Sequence, residues 1–125
     1  MSFSEEKTMA LAGGNTVNAT EDELNAVFSN ILNTGLHGLC FSPYSGDKKP
    51  GSELTGEQIQ SRLEIIKPYT SWVRTFSCAD GNERIPRIAH ENGLKTMVGA
   101  WLGKDLDDNE KEIANLIEIA RAGYA

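Results

Sequence analysis

Apolar residues first recur with helical spacing at Leu24, Val27, Phe28, Ile31 and Leu32, which would line one side of an α-helix. Thr20 with Glu23 three residues on is a capping box, and Gly35 is a stop, so TEDELNAVFSNILNTG predicts a complete helix. The pattern then changes. LHGLCFSPY (36–44) is a short apolar run broken by Pro43, which predicts a buried strand and the loop leaving it. YSGDKKPGSEL (44–54) is rich in turn formers and predicts a loop. A second capping box, Thr55 to Gln58, opens a helix with Ile59, Leu63 and Ile66 on one side, and Pro68 stops it. SWVRTFSC (71–78) predicts a second strand. ADGNERIPRIAHENG (79–93) holds a helix with Ile85, Ile88 and Ala89 inward, Pro86 tolerated in its first turn and Gly93 as its stop. LKTMVGAWLG (94–103) predicts a third strand. Asp107 and Glu110 cap a last helix, ended by Gly123, whose Ile113, Leu116, Ile117 and Ala120 are expected to face inward.

One helix followed by three strand–helix units predicts an α/β fold with parallel strands and right-handed helical crossovers. The continuous apolar strands imply a sheet covered on both faces. Three such units do not close a barrel, and a closed (β/α)8 barrel takes about 250 residues against the 125 here. The expected organisation is a polar, Gly/Asn-rich loose leader over 1–19 and a partial barrel over 20–125.

Charge narrows the partners. Eighteen acidic and 12 basic side chains give a net charge of −6, and that balance repels nucleic acid and anionic membrane surfaces, so neither is expected. No apolar run approaches the roughly 20 residues that span a bilayer, and the N-terminus is acidic where a signal peptide is basic. As written, the chain reads as a soluble cytoplasmic protein. Cys40 and Cys78 have no CxxC or Cys/His companion and are expected as buried free thiols. His37 and His90 lack partners at helical spacing, so neither a metal nor any cofactor is expected. AGGN at 12–15 has no strand before it, which fails the nucleotide-binding context, and Ser77 lacks a GxSxG setting.

In parallel α/β folds ligands meet the carboxyl ends of the strands. Here those are Ser42-Pro43-Tyr44, the stretch from Arg74 to Cys78, and the stretch from Ala100 to Gly103. Tyr44 and Trp101 are aromatics on which the apolar faces of sugar rings could stack; the plainer reading of Trp101 is an aromatic packed in the core. Arg74 sits inside an apolar strand, where a buried guanidinium needs a carboxylate or several carbonyls. It is either a structural ion pair or a residue that orients a catalytic carboxylate. Glu83, in Gly81-Asn82-Glu83, lies just beyond strand two. Asp47, Asp80, Asp105 and Asp107 are the nearby carboxylates that could complete an acid pair for glycoside chemistry. None lies in an apolar strand end, and the plainer reading of Glu83 is an acid opening a helix.

GLCFSPY (38–44), SRLEIIKPYTSWVRTFSCADGNERIPRIAHENGLKTMVGAWLG (61–103) and NEKEIANLIEIARAGYA (109–125) resemble the start of bacterial family 17 glycoside hydrolases. The resemblance runs from about Gly35 onward and covers three βα units. It implies part of a (β/α)8 barrel acting on β-1,3-glucan by hydrolysis or glucanosyl transfer with retention. The family's general acid lies in a Gly-Asn-Glu motif at strand four and its nucleophile in a Thr-Glu-Thr-Gly-Trp motif at strand eight. Neither strand falls within these residues, so Gly81-Asn82-Glu83 is a lookalike in the wrong unit. No residue of this chain is then expected to be catalytic, and the chain alone is expected to be inactive. The resemblance places Tyr44 and Arg74 along the glucan cleft, with Phe76 and Trp101 adding to it. The alternative is a non-enzymatic partial barrel that binds glucan weakly or self-associates through unpaired sheet edges. A flavodoxin-like module is a third reading, for which Ser42-Pro43-Tyr44 is a poor phosphate loop.

Overall fold

The computed structural model describes residues 18–125, and the chain divides into two units between Thr34 and Gly35. Almost all of the leader expected over 1–19 lies outside the described residues. The first unit contributes helix α1 (Glu21–Thr34). Its capping box closes in both directions: Glu23 N–H donates to Thr20 Oγ1 (3.3 Å) and Thr20 N–H donates to Glu23 Oε2 (2.8 Å). The Thr20 N–H, and after it the Thr20 hydroxyl (3.0 Å), donate to the Glu23 carboxylate and favour its ionised form, so Glu23 titrates below the ordinary carboxylate value.

The second unit runs β1 (Leu36–Cys40), α2 (Gly56–Ile66), β2 (Thr70–Arg74), α3 (Ile85–Glu91), β3 (Lys95–Met97) and α4 (Leu106–Arg121). Short 3-10 turns at Lys67–Tyr69 and Asn82–Arg84 lead into β2 and α3. The sheet is parallel in the order β1-β2-β3, with Gly38 opposite Trp72 and Trp72 opposite Lys95. The chain is therefore α/β in the sense its pattern implied. No helix among the described residues is long and apolar enough to cross a membrane.

Both later strands end sooner than their apolar runs suggest. Thr75 N–H still donates to Met97 O, but Gly99 N–H donates to the Thr75 hydroxyl, so side chains take over where the ladder stops. Local capping also differs in detail. Thr55 accepts from Gln58 N–H as expected, while the Gln58 amide reaches across to Pro43 O (2.9 Å) and does not close its half of the box. Helix α4 is capped by Asp105, which accepts from Asp107 and Asp108 N–H, and not by Asp107 and Glu110.

Among the described residues of the second unit, the core forms on one face of the sheet. Val73, Thr75 and Thr96 point into a layer built by Ile59 and Leu63 of α2, Ile85, Ile88 and Ala89 of α3, and the connecting residues Phe41, Leu54 and Leu94. On the other face Cys40, Arg74, Lys95 and Met97 are exposed and Trp72 is half-buried. The expectation of a sheet covered on both faces is corrected: apolar content misled, whereas the alternation of Val73 and Thr75 with Trp72, Arg74 and Phe76 separated the faces. Cys40, expected to be buried, is exposed on edge strand β1; Cys78 is buried as expected.

Helix α4 corrects another expectation. It buries Glu112 and Ile119 and half-buries Asn115 and Leu116, while Ile113, Ile117 and Ala120 are exposed. The helix is turned by about one residue, or roughly 100°, from its most apolar presentation. The cause is polar: its inward groups saturate the backbone of the loops that leave β2 and β3.

Candidate functional site

A cavity of about 470 Å³ opens at the carboxyl ends of all three strands. Phe41, Ser42 and Tyr44 enter it from the loop after β1, and Phe76, Ser77, Asp80 and Asn82 from the loop after β2. Trp101 follows β3, and Asp108, Lys111 and Glu112 come from the first turns of α4. Its position follows from connectivity, because each strand of a parallel sheet delivers its outgoing loop to the same end.

Three of the four residues expected to form a binding site line this cavity: Tyr44, Phe76 and Trp101. Tyr44 packs against the apolar core, and its hydroxyl accepts from Asn82 Nδ2 (3.0 Å). The same amide nitrogen donates to Ala79 O (2.8 Å), which fixes its direction. Among the described hydrogen bonds the Tyr44 O–H donates to no protein group, so its proton is available to a ligand. Trp101 is 68% exposed, which removes the reading of a core aromatic. Arg74 is not buried and forms no ion pair among the described residues, contrary to the structural ion pair considered for it. Its guanidinium instead lies 5.1 Å from the centre of the Phe76 ring, a cation–π contact beside the cavity wall.

The loop after β2 is shaped by two consecutive left-handed residues, Asp80 (φ 54°) and Gly81 (φ 87°). A Cβ on Gly81 would sit 2.3 Å from Leu54 O, so only glycine fits. Leu54 N–H donates to Asp80 O, and Arg84 donates to Leu54 O, which joins the loops after β1 and β2. Glu83 falls within the following 3-10 turn, 3.7 Å from Arg84 Nε, and does not line the cavity. Gly81-Asn82-Glu83 thus makes a turn, an amide that orients Tyr44, and a charge at a helix start. Of the other carboxylates considered, Asp80 lines the cavity and Asp105 is engaged as the α4 cap. Asp47 and Asp107 are not among the lining residues. No cluster of His, Cys, Asp and Glu that could hold a metal ion occurs among the described residues.

Sequence reasoning missed Glu112. Although 95% of its surface is covered, it is fully engaged: Oε1 accepts from Ser77 Oγ (2.5 Å), and Oε2 accepts from Cys78 N–H (2.6 Å) and Trp101 N–H (3.1 Å). Its neighbour along the helix, Asn115, donates to Cys78 O. These acceptors and the surrounding burial act on the Cys78 thiol, which is pushed up to about 11 by desolvation first and then by the charges of Glu112 and Glu83. Asn109, Glu112 and Asn115 recur every three residues, a signal visible in the sequence but outweighed there by the apolar stripe beside it.

Chemically the site offers aromatic faces, a free phenol donor, an exposed hydroxyl at Ser42 and charges of both signs at Asp80, Asp108 and Lys111. Such a mixture suits a ligand with apolar C–H faces and many hydroxyls. No protein-family model, curated protein or solved structure matches this chain.

Proposed function

We propose that the chain is the N-terminal portion of a retaining glycoside hydrolase acting on β-1,3-glucan, with its three βα units forming part of a (β/α)8 barrel. The observation that carries this reading is the convergence of Tyr44, Phe76 and Trp101 on one cavity at the carboxyl ends of parallel strands. The open sheet face supports it as well, because a barrel interior is the surface that a partial barrel leaves uncovered. In this reading the general acid and the nucleophile belong to strands outside these residues. The 125-residue chain therefore binds the glucan without cleaving it.

Titrating the purified chain with laminari-oligosaccharides, followed by tryptophan fluorescence and amide NMR shifts, tests the reading. Binding that Trp101→Ala weakens about tenfold, a loss of about 1.4 kcal/mol, is the expected result. Shifts scattered away from Tyr44, Phe76 and Trp101 would sink it. Release of reducing sugar that Glu83→Gln abolishes would show that the chain carries its own catalytic acid.

A second reading, a non-enzymatic module that pairs with a further copy, is favoured by one feature. β1 and β3 are both unpaired edges of the sheet among the described residues. Sedimentation separates the two, since a monomer with no concentration dependence removes the second.

A further inference from the structure

We propose that Glu112 and Asn109 of α4 form a polar clamp that presets Trp101 as a stacking platform, which makes Glu112 a positioning residue for a saccharide ligand. The inference rests on the saccharide reading of the cavity. Exposed aromatics on loops ordinarily lose freedom when a ligand orders them, and that loss lowers affinity. Trp101 projects 68% of its surface to solvent, so packing does not hold its ring in place. Its backbone is held instead. Trp101 N–H donates to Glu112 Oε2. Two residues on, Gly103 N–H donates to Asn109 Oδ1 (2.7 Å) and Gly103 O accepts from Asn109 Nδ2 (3.1 Å). Asn109 and Glu112 lie three residues apart on one side of α4, so a single rigid element grips the loop on both sides of Leu102.

The same carboxylate also grips the other wall. Ser77 Oγ and Cys78 N–H donate to it, and Ser77 follows directly on Phe76. One side chain thereby sets the spacing between the Phe76 loop and the Trp101 loop, the two aromatic walls that follow β2 and β3. Its oxygens are taken up by protein donors, which leaves it to act through Trp101 and not as an acid or base toward a ligand.

The geometry separates the two roles by substitution. In Glu112→Gln the amide oxygen can accept from both Cys78 and Trp101 N–H while the amide nitrogen donates to Ser77 Oγ, so the clamp survives without its charge. Glu112→Ala removes it. Asn109→Ala releases only the solvent-facing end and disturbs no buried group, so it serves even if Glu112→Ala fails to fold. Amide hydrogen exchange at Trp101 reads the clamp without any ligand, and titration with laminari-oligosaccharides reads its effect. The expected result is a slowly exchanging Trp101 amide in the wild-type chain that Asn109→Ala and Glu112→Ala accelerate. Their affinity falls about fivefold to tenfold, while Glu112→Gln stays within about twofold of wild type. Trp101 exchange at the rate of an unprotected loop amide in the wild type overturns the clamp. So does full affinity in Asn109→Ala or Glu112→Ala alongside intact wild-type binding. A wild-type chain that binds no saccharide overturns the functional reading, and with it the purpose assigned to the clamp.

Discussion

Helices α2 and α3 on one hand, and α4 on the other, attach to the same small sheet by opposite means. The first pair presents Ile59, Leu63, Ile85, Ile88 and Ala89 to Val73 and shields them almost completely from water. Helix α4 turns Asn109, Glu112 and Asn115 toward the loops after β2 and β3, and leaves Leu106, Ile113 and Ile117 in solvent. Apolar burial is non-directional and roughly proportional to area, so the α2–α3 layer supplies stability with little positional demand. Hydrogen bonds contribute less net free energy but fix direction and distance. The candidate site is built on the side held by directional contacts.

The contrast breaks most visibly through truncation of apolar residues. Leu63→Ala, at a fully buried position, is expected to cost about 2–5 kcal/mol in urea unfolding. Ile113→Ala, at a 38% exposed position, is expected to cost less than about 1 kcal/mol. Equal losses would mean that both faces of α4 are covered and that the contrast is false.

A smaller effect tests the loop that joins the two regions. Gly81→Ala must adopt a left-handed backbone against Leu54 O, so about 1–3 kcal/mol of destabilisation is expected from strain. A neutral outcome would show that the Asp80–Gly81 turn can shift, and with it Asn82 and Tyr44.

The two thiols sharpen the comparison through chemistry. Cys40 is exposed and Cys78 is buried with its thiol pushed up from 9.0 to about 11. A thiol reagent at pH 8 is therefore expected to label Cys40 alone in the native chain and both residues in urea. The folded thiol holds its proton more tightly than the unfolded one. Its contribution is present in full below pH 9.0 and is lost as pH rises from 9.0 toward about 11. Urea midpoints across that window should fall less steeply in Cys78→Ala; an identical slope would show that Cys78 does not titrate with unfolding. The smallest effect belongs to the exposed pair of Arg87 and Glu91 on α3 (3.5 Å), where Arg87→Ala is expected to change stability by no more than about 0.5 kcal/mol.

The element order was legible because local physics suffices for it. Thr20, Thr55, Pro86, Gly93 and the apolar spacings of α2 and α3 act within a few residues of themselves, and each does in the structure what its neighbours imply. The apolar spacing of α1 marks a helix but buries none of its residues. Tyr44 and Trp101 could be nominated for a similar reason, since strand order alone sends their loops to one end, whereas Phe76 is named only through the resemblance. Arg74 was misread because burial was inferred from its apolar neighbours in sequence, although alternation placed it on the uncovered face with Phe76.

The sequence by itself determined which segments become helix or strand, that the strands are parallel, and that the outgoing loops share one end. Capping, periodicity and chain connectivity are set locally and persist in any fold the chain adopts. Tertiary structure alone decided which sheet face is covered, how α4 is rotated, and that Glu112 holds Ser77, Cys78 and Trp101 together. Those outcomes depend on unpaired backbone groups that exist only once distant loops have met. A hydrogen bond between residues 35 positions apart leaves no periodic trace in the chain.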